Sequence, residues 1–327
     1  MNNLIRRLAS SPAAVTFLLA PVVGELVSTS APLPGFFLGW LPLAVLYGSG
    51  ALLVRELARR WGSGWLGIGL LGAAYGIVEE GLVTRAFFDP AWEDLGKLAV
   101  FGRDGGVNWL WASQLTIYHT VVSIGITLVI VEILFPDRRN LPWLGRRGLA
   151  WSAAGMAAWV VAGFGFYHPP GGHLVATWLV VGVLVLAARR VRPRPARTAP
   201  VAVPRPRRFL LLGVGGWVAV MLVPHLFAEV PGASPEAAWL VMVTAAAVAV
   251  GAVRRWTADL TAWDDRHRFA LAFGIMAPFV LLGPVFAGPL WGTVTTVATL
   301  WASHRMWRRI VSGSAPSVPE PSSPAGT

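Results

Sequence analysis

The 327-residue chain is 55% hydrophobic and only 13% charged, with a formal net charge of +11. Soluble domains carry about 25% charged residues; half that share, with apolar runs near spanning length throughout, excludes a soluble globular protein and indicates an integral membrane one. The basic balance does not indicate nucleic acid, because the arginines gather in short segments between apolar runs and no nucleic-acid-binding motif interleaves them, and the absence of cysteine excludes a disulfide framework, a thiol nucleophile and a Cys-ligated metal.

The opening MNNLIRRLASSPAAVTFLLAPVVGE has two arginines and then an apolar core, as a signal peptide does. Glu25 and the weak small-residue site around Ser28–Ala31 argue against cleavage, so this stretch is taken as a first span. Apolar runs follow at 13–31, 36–54, 64–86, 109–135, 149–167, 173–188, 209–228, 236–253, 269–284 and 287–304. The expectation is an all-α, polytopic transmembrane helical bundle of about ten spans.

Basic and non-basic connections alternate along the whole chain. Arg6 and Arg7 precede the first span, the next connection has no Lys or Arg, and the one after it has Arg55, Arg59 and Arg60. The pattern continues to Arg305, Arg308 and Arg309 at the end, and by the positive-inside rule both termini are expected in the cytoplasm. The organisation expected is a six-span bundle over 1–188, a basic Pro-rich cytoplasmic linker over 189–208, a four-span part over 209–304 and a disordered cytoplasmic tail over 305–327. The Arg-Pro linker is expected to touch anionic lipid, and the bilayer is the partner; no nucleic acid is expected, and the oligomeric state is not readable. The Arg, Ala, Gly and Trp bias suggests a GC-rich bacterial source, hence a multipass protein of the bacterial plasma membrane.

Ionisable groups inside spans are costly and face the bundle interior or a water-filled cavity. By the alternating topology, Glu25, Glu79, Glu80, His119, His168, His173, His225 and Glu229 share the outer half of the membrane. Arg55, Glu56 and Glu132 fall near the inner interface, where long side chains snorkel. In the third run Gly72, Gly76, Glu80 and Thr84 repeat every four residues, a small-residue stripe that packs on another helix. Glu79 lies about 100° away, so Glu80 is expected to be the inward carboxylate. In the fourth run Asn108, Thr116, His119, Thr120, Ser123 and Thr127 form one polar stripe. Consecutive spans are usually neighbours, which would bring Glu80 to His119. The segment FFDPAWEDLGKLAVFGRDGGVNWLW between these runs is longer than a simple connector and reads either as a gate or as a segment that seals the bundle.

The stretch Glu79-Glu80-Gly-Leu-Val-Thr-Arg85 resembles the first motif of the CAAX-protease and bacteriocin-processing (CPBP) family of intramembrane proteases, a Glu pair followed by three residues and an Arg. Leu-Thr-Ile-Tyr-His119 resembles its second, a Phe, three residues and a His. Here four residues separate the pair from Arg85, Leu115 stands in the Phe position, and the family's third motif, a His with Asn or Asp four later, has no clear counterpart. The resemblance covers about 45 residues. It implies a Glu-activated water for peptide hydrolysis within the membrane, with Glu79 or Glu80 as base, His119 as partner and Arg85 as a structural or electrostatic group.

The residues alone leave three readings of this site: a membrane-embedded hydrolase, a proton-coupled carrier, or a polar pair that fixes helix packing. The candidate catalytic set is Glu79, Glu80, His119 and Arg85. Glu25, Asn108, Thr116, Ser123, His168 and His173 are candidate binding groups. A zinc set drawn from His119, His168, His173 and His225 lacks an HExxH spacing, and the HPPGGH histidines suit a Pro-Gly turn in water, so no metal and no cofactor is assigned. The expected function is that of a multipass membrane protein of unassigned activity with a polar Glu/His site.

Overall fold

The computed structural model describes residues 6, 8–31, 33–192, 203–257 and 263–313. Among them the chain forms ten long helical runs: α1 (Pro12–Leu26), α2 (Leu33–Trp61), α3 (Gly64–Val83), α4 (Trp109–Leu134), α5 (Arg146–Gly165), α6 (Gly171–Arg190), α7 (Pro206–Glu229), α8 (Pro235–Trp256), α9 (Asp265–Phe286) and α10 (Pro289–Gly313). The only strands among the described residues are a two-residue hairpin, Arg103–Asp104 with Val107–Asn108. Eight of the helices, α2 to α9, are long and apolar enough to cross a membrane. A backbone in hydrocarbon must satisfy its own N–H and C=O groups, and the α-helix does so within one segment.

The expected runs and the observed helices correspond one to one, with three differences. Helix α1 stops at Leu26, and a turn with Thr29 at φ 71° follows. Helix α10 runs on to Gly313, nine residues past the expected end; Thr293, Thr295, Thr296 and Thr299 dilute its apolar content, and it is not among the spanning helices. Helix α2 extends to Trp61 and takes Arg55, Glu56, Arg59 and Arg60 into its last turns. Most of the Arg-Pro linker, 193–202, and the tail beyond 313 lie outside the described residues.

Helices α3 and α4 form the centre. In their most apolar windows 67% and 61% of residues are buried, against 11% for α5 and for α8, whose surfaces are left to lipid. One core cluster joins Leu46, Tyr47 and Val54 of α2 to Ile68, Leu71 and Tyr75 of α3 and Ile124 and Leu128 of α4. A second joins the long 84–108 segment to α7 and α8 through Phe87, Phe88, Leu95, Leu98, Val220 and Met242. A third sets Tyr118, Val122 and Ile126 of α4 against Trp217 of α7 and Met276 and Phe279 of α9.

The end of the bundle where α2 and α4 terminate and the arginines of α2 meet those of the connector after α4 corrects the snorkelling expectation. Arg55, Glu56 and Glu132 are fully buried. Arg55 pairs with Glu56 at 2.7 Å, donates to the Arg139 carbonyl at 3.0 Å and lies 3.5 Å over the Trp143 ring. Glu56 also accepts from the Trp143 backbone N–H at 2.7 Å. Glu132 accepts from Arg59 at 2.7 Å, and Arg139 bridges to Asp265 of α9 at 2.8 Å. These groups hold α2, the connector after α4, and α9 together. A sequence window shows charge at a span end; it does not show that the connector folds back over that charge.

Candidate functional site

Five segments of these helices are π-helical: Val22–Leu26, Ala44–Gly48, Glu79–Val83, His119–Ile126 and Val218–Leu222. Four of the five converge at one place and carry its polar side chains. Glu25 is on the first, Tyr47 on the second, Glu79 and Glu80 on the third, His119 and Ser123 on the fourth. A π turn widens the helix by one residue and replaces i→i−4 bonds, as where the Thr84 N–H reaches the Glu79 carbonyl at 2.9 Å. Carbonyls freed in this way take side-chain donors: Gly24 C=O accepts from Tyr118 at 2.5 Å and from Ser28 at 2.8 Å. Short π segments of this kind are frequent at functional sites.

His119 is the centre. Its Nε2 lies 2.8 Å from Glu80 Oε1, and its Nδ1 lies 3.0 Å from Ser123 Oγ and 3.0 Å from Glu79 Oε2. Only Ser123 has hydrogen-bond geometry toward Nδ1, and Glu79 Oε2 is buried without a hydrogen-bond partner. The second oxygen of Glu80 accepts from Thr84 at 2.9 Å. Glu25 accepts from the Tyr47 hydroxyl at 2.5 Å. The buried Tyr75 hydroxyl interacts with the Glu79 carboxylate without reaching close hydrogen-bond geometry. The rings of Tyr47, Tyr75 and Tyr118 all surround the imidazole, with centroids 5.0 to 6.1 Å away.

Glu79, Glu80 and His119 are 2%, 8% and 2% exposed. Among the described residues His119 is the only ion-pair partner of either carboxylate. The cluster is therefore acidic and enclosed, and two surface depressions lie away from it, on α10 around Trp301 and between α1, α2 and α5 around Ser49 and Trp151. Counting Glu25, three carboxylates face one imidazole. Charge in such surroundings is tolerated only when balanced, here by protons or by a cation.

The small-residue stripe of α3 makes the approach possible. A β-carbon on Gly76 would lie 2.9 Å from His119 Cβ, and one on Gly72 would lie 3.2 Å from Thr120 Cα. The stripe meets α4, as its spacing requires. Both carboxylates face inward, Glu79 as well as the favoured Glu80, because an imidazole presents a nitrogen on each edge and the π turn sets one glutamate at each.

The other expected site residues are placed elsewhere. Arg85 is buried, has φ 61°, and donates to the Tyr167 carbonyl at 2.9 Å; it ties the end of α3 to the α5–α6 turn and makes no ion pair with the glutamates. Asn108 caps α4, accepting from the Trp111 N–H at 2.9 Å and donating to the Leu98 carbonyl. Thr116 bonds back to Ala112 at 2.7 Å at the α3 contact. His168 is exposed. His173 Nε2 donates to the Gly105 carbonyl at 2.8 Å and so holds the hairpin after α3. In that hairpin Gly105 and Gly106 take φ 57° and 80°, the turn conformation that glycine adopts without strain. Arg103 donates to the carbonyls of Ala99, Phe88, Asp89 and Gly106, so the 84–108 segment is a folded cover and not a loose loop. Glu229 pairs with Lys97 across that cover, and His225 sits edge-on to Trp111.

The three tyrosines were not singled out by spacing. A signal was there: the chain has four tyrosines against 17 tryptophans and 15 phenylalanines. Where a sequence fills its aromatic positions with Trp and Phe, its few phenols mark places that need a hydroxyl.

No curated protein and no solved structure matches the chain. A family model described as an uncharacterized membrane protein family matches residues 14–303, nearly the whole of the helical bundle and all of the Glu/His cluster. The chain is a multipass helical membrane protein belonging to that uncharacterized membrane protein family.

Proposed function

We propose that the cluster is a water-activating hydrolytic centre set within the membrane. The observation that carries this reading is the double grip on His119, with Glu80 at Nε2 and Glu79 at Nδ1, 2.8 and 3.0 Å away. A carboxylate beside an imidazole is the arrangement of a general base with an oriented partner. Glu79, whose Oε2 has no hydrogen-bond partner, is the free acceptor for a water proton. His119, held by Ser123 and Glu80, is the group that stabilises the oxyanion formed on attack. The likeness of Glu79–Arg85 and Leu115–His119 to the CPBP motifs gives the substrate class, a peptide bond at membrane depth. Arg85 then acts through position, since it fixes the end of the π turn that carries both glutamates.

The test uses the full-length protein in proteoliposomes with a panel of quenched-fluorescent transmembrane peptides. Cleavage by the wild type that is abolished in Glu80→Gln and His119→Ala supports the reading. Cleavage unchanged by these substitutions, or no cleavage across the panel, overturns it.

A second reading is favoured by the direct Glu80–His119 bond, which joins α3 to α4 without an intervening gap while Thr84 braces the same carboxylate. In it the cluster fixes helix packing, and Glu80→Gln lowers stability alone.

The same reading places the protein in a bacterial plasma membrane with both termini in the cytoplasm. The support is the alternation of basic and non-basic connections. The Glu/His cluster then lies in the outer half of the bilayer, and the Arg-Pro segment of 189–208 faces anionic lipid.

A further inference from the structure

We infer that Glu79, Glu80 and His119 bind one divalent transition-metal ion of the zinc class. The inference goes beyond the hydrolytic reading and stands on the cluster's own geometry.

One donor atom from each of the three side chains lies within 4.8 Å of the others, and all three residues are buried. They come from two adjacent helices, through π turns that put two successive glutamates on one imidazole. Two carboxylates and an imidazole are a donor set that suits zinc, manganese or iron, and three protein ligands leave a fourth position for water. At the three ligands themselves the charge agrees: two ionised glutamates, a neutral His119 and a dication sum to zero. No arginine or lysine among the described residues pairs with either glutamate.

A further observation points to a missing group. Glu79 Oε2 is buried without a hydrogen bond of good geometry, although the Tyr75 hydroxyl interacts with that carboxylate. A buried carboxylate oxygen left short of a partner is costly, and a bound cation removes that cost.

The surroundings are those of a supported ligand shell. Ser123 Oγ at 3.0 Å from Nδ1 and Glu80 Oε1 at 2.8 Å from Nε2 fix the plane of the imidazole. Thr84 holds the other Glu80 oxygen at 2.9 Å. Partners of this kind fix ligand orientation, and losing one weakens metal affinity by about 10- to 100-fold. With metal–ligand bonds of about 2.1 Å, neighbouring ligands sit about 3.4 Å apart. Glu80 Oε1 and Nε2, at 2.8 Å, therefore open slightly, the donors that stand up to 4.8 Å apart draw in, and the Glu79 carboxylate is the one that swings.

The experiment strips the detergent-solubilised full-length protein with EDTA and titrates it with Zn²⁺ by calorimetry and with Co²⁺ by visible absorption. One equivalent of Zn²⁺ and a tetrahedral Co²⁺ spectrum are expected. Glu79→Gln, Glu80→Gln and His119→Ala abolish both, and Ser123→Ala weakens Zn²⁺ binding by about tenfold while leaving the donors in place. A rise in the unfolding temperature of wild type on Zn²⁺ addition, absent in Glu79→Gln, separates lost binding from lost folding. Stripped wild type that takes up neither ion overturns the inference, as does uptake that survives all three substitutions. Peptide cleavage by wild type that takes up neither ion would overturn it and leave the proposed function standing. One bound ion without cleavage of any peptide would do the reverse.

Discussion

Gly76 and His119 meet across the α3–α4 interface so closely that a β-carbon on the glycine would lie 2.9 Å from the histidine Cβ and 3.4 Å from Thr116 Cα. Both atoms belong to the stiff part of the partner helix, so neither yields easily. Gly76→Ala therefore pushes α4 away from α3. Overpacking of this kind costs about 1–3 kcal/mol, while the gain in helix propensity returns about 1 kcal/mol. Gly72→Ala, at 3.2 to 3.3 Å from Thr120, is the milder of the two. Thermal unfolding in detergent should rank them in that order, and Gly76→Ala should also lower any activity or metal affinity by spreading Glu80 from His119. Equal unfolding temperatures for Gly76→Ala and wild type would contradict this packing.

Tyr47 and Tyr75 should differ. Tyr47 donates at 2.5 Å to the half-buried Glu25, so Tyr47→Phe strands a carboxylate oxygen and should cost about 1–3 kcal/mol. The Tyr75 hydroxyl makes only a loose interaction with Glu79, so Tyr75→Phe should cost the metal-free protein clearly less. Denaturation of the stripped protein checks the pair. A larger loss for Tyr75→Phe than for Tyr47→Phe would show that the hydroxyl assignments are reversed.

The helices were readable because each apolar run is its own signal, and α3 and α4 carry their contact as well. Gly72, Gly76 and Glu80 keep a four-residue period, and that period survives into the structure as the face against Thr116, His119 and Thr120. What the period misses is any residue whose direction depends on a π turn. An ideal helical wheel sets Glu79 about 100° from Glu80, and the widened turn at Glu79–Val83 brings both to His119. Arg85 and Asn108 lie at the ends of the two site helices. Their short-range roles, a tie to Tyr167 and a cap on Trp111, are set by how the chain leaves and enters those helices. The buried Arg55–Glu56 pair was missed for a related reason: the connector carrying Arg138, Arg139 and Trp143 covers it, and such a cover is a tertiary fact.

That buried network makes its own prediction. Glu56 accepts from Arg55 Nη1 and from the Trp143 N–H, both at 2.7 Å, and is fully buried. Glu56→Ala leaves Arg55 charged, buried and short of a partner, and removing one member of a buried pair costs about 3–5 kcal/mol. Asp265→Ala breaks a pair with Arg139 that is partly exposed on both sides, and such pairs are worth about 0–1 kcal/mol. Expression level and unfolding temperature of the two variants should differ in the same direction, with Glu56→Ala far the lower.

The cover over the site depends on one guanidinium. Arg103 donates at 2.9 Å to Ala99, 2.8 Å to Phe88, 3.2 Å to Asp89 and 3.3 Å to Gly106, all backbone carbonyls of the 84–108 segment. Each of these acceptors is otherwise left without that donor when the side chain goes. Arg103→Ala should therefore loosen the whole segment while the spans around it keep their packing. His173→Ala, which removes a single bond to Gly105, should loosen only the hairpin tip. Hydrogen exchange read by mass spectrometry distinguishes the two. Faster exchange across 87–108 in Arg103→Ala, with exchange in α3 and α4 unchanged, is the expected result. Unchanged exchange in the segment would mean that the core around Phe87, Leu95 and Leu98 holds it without the arginine.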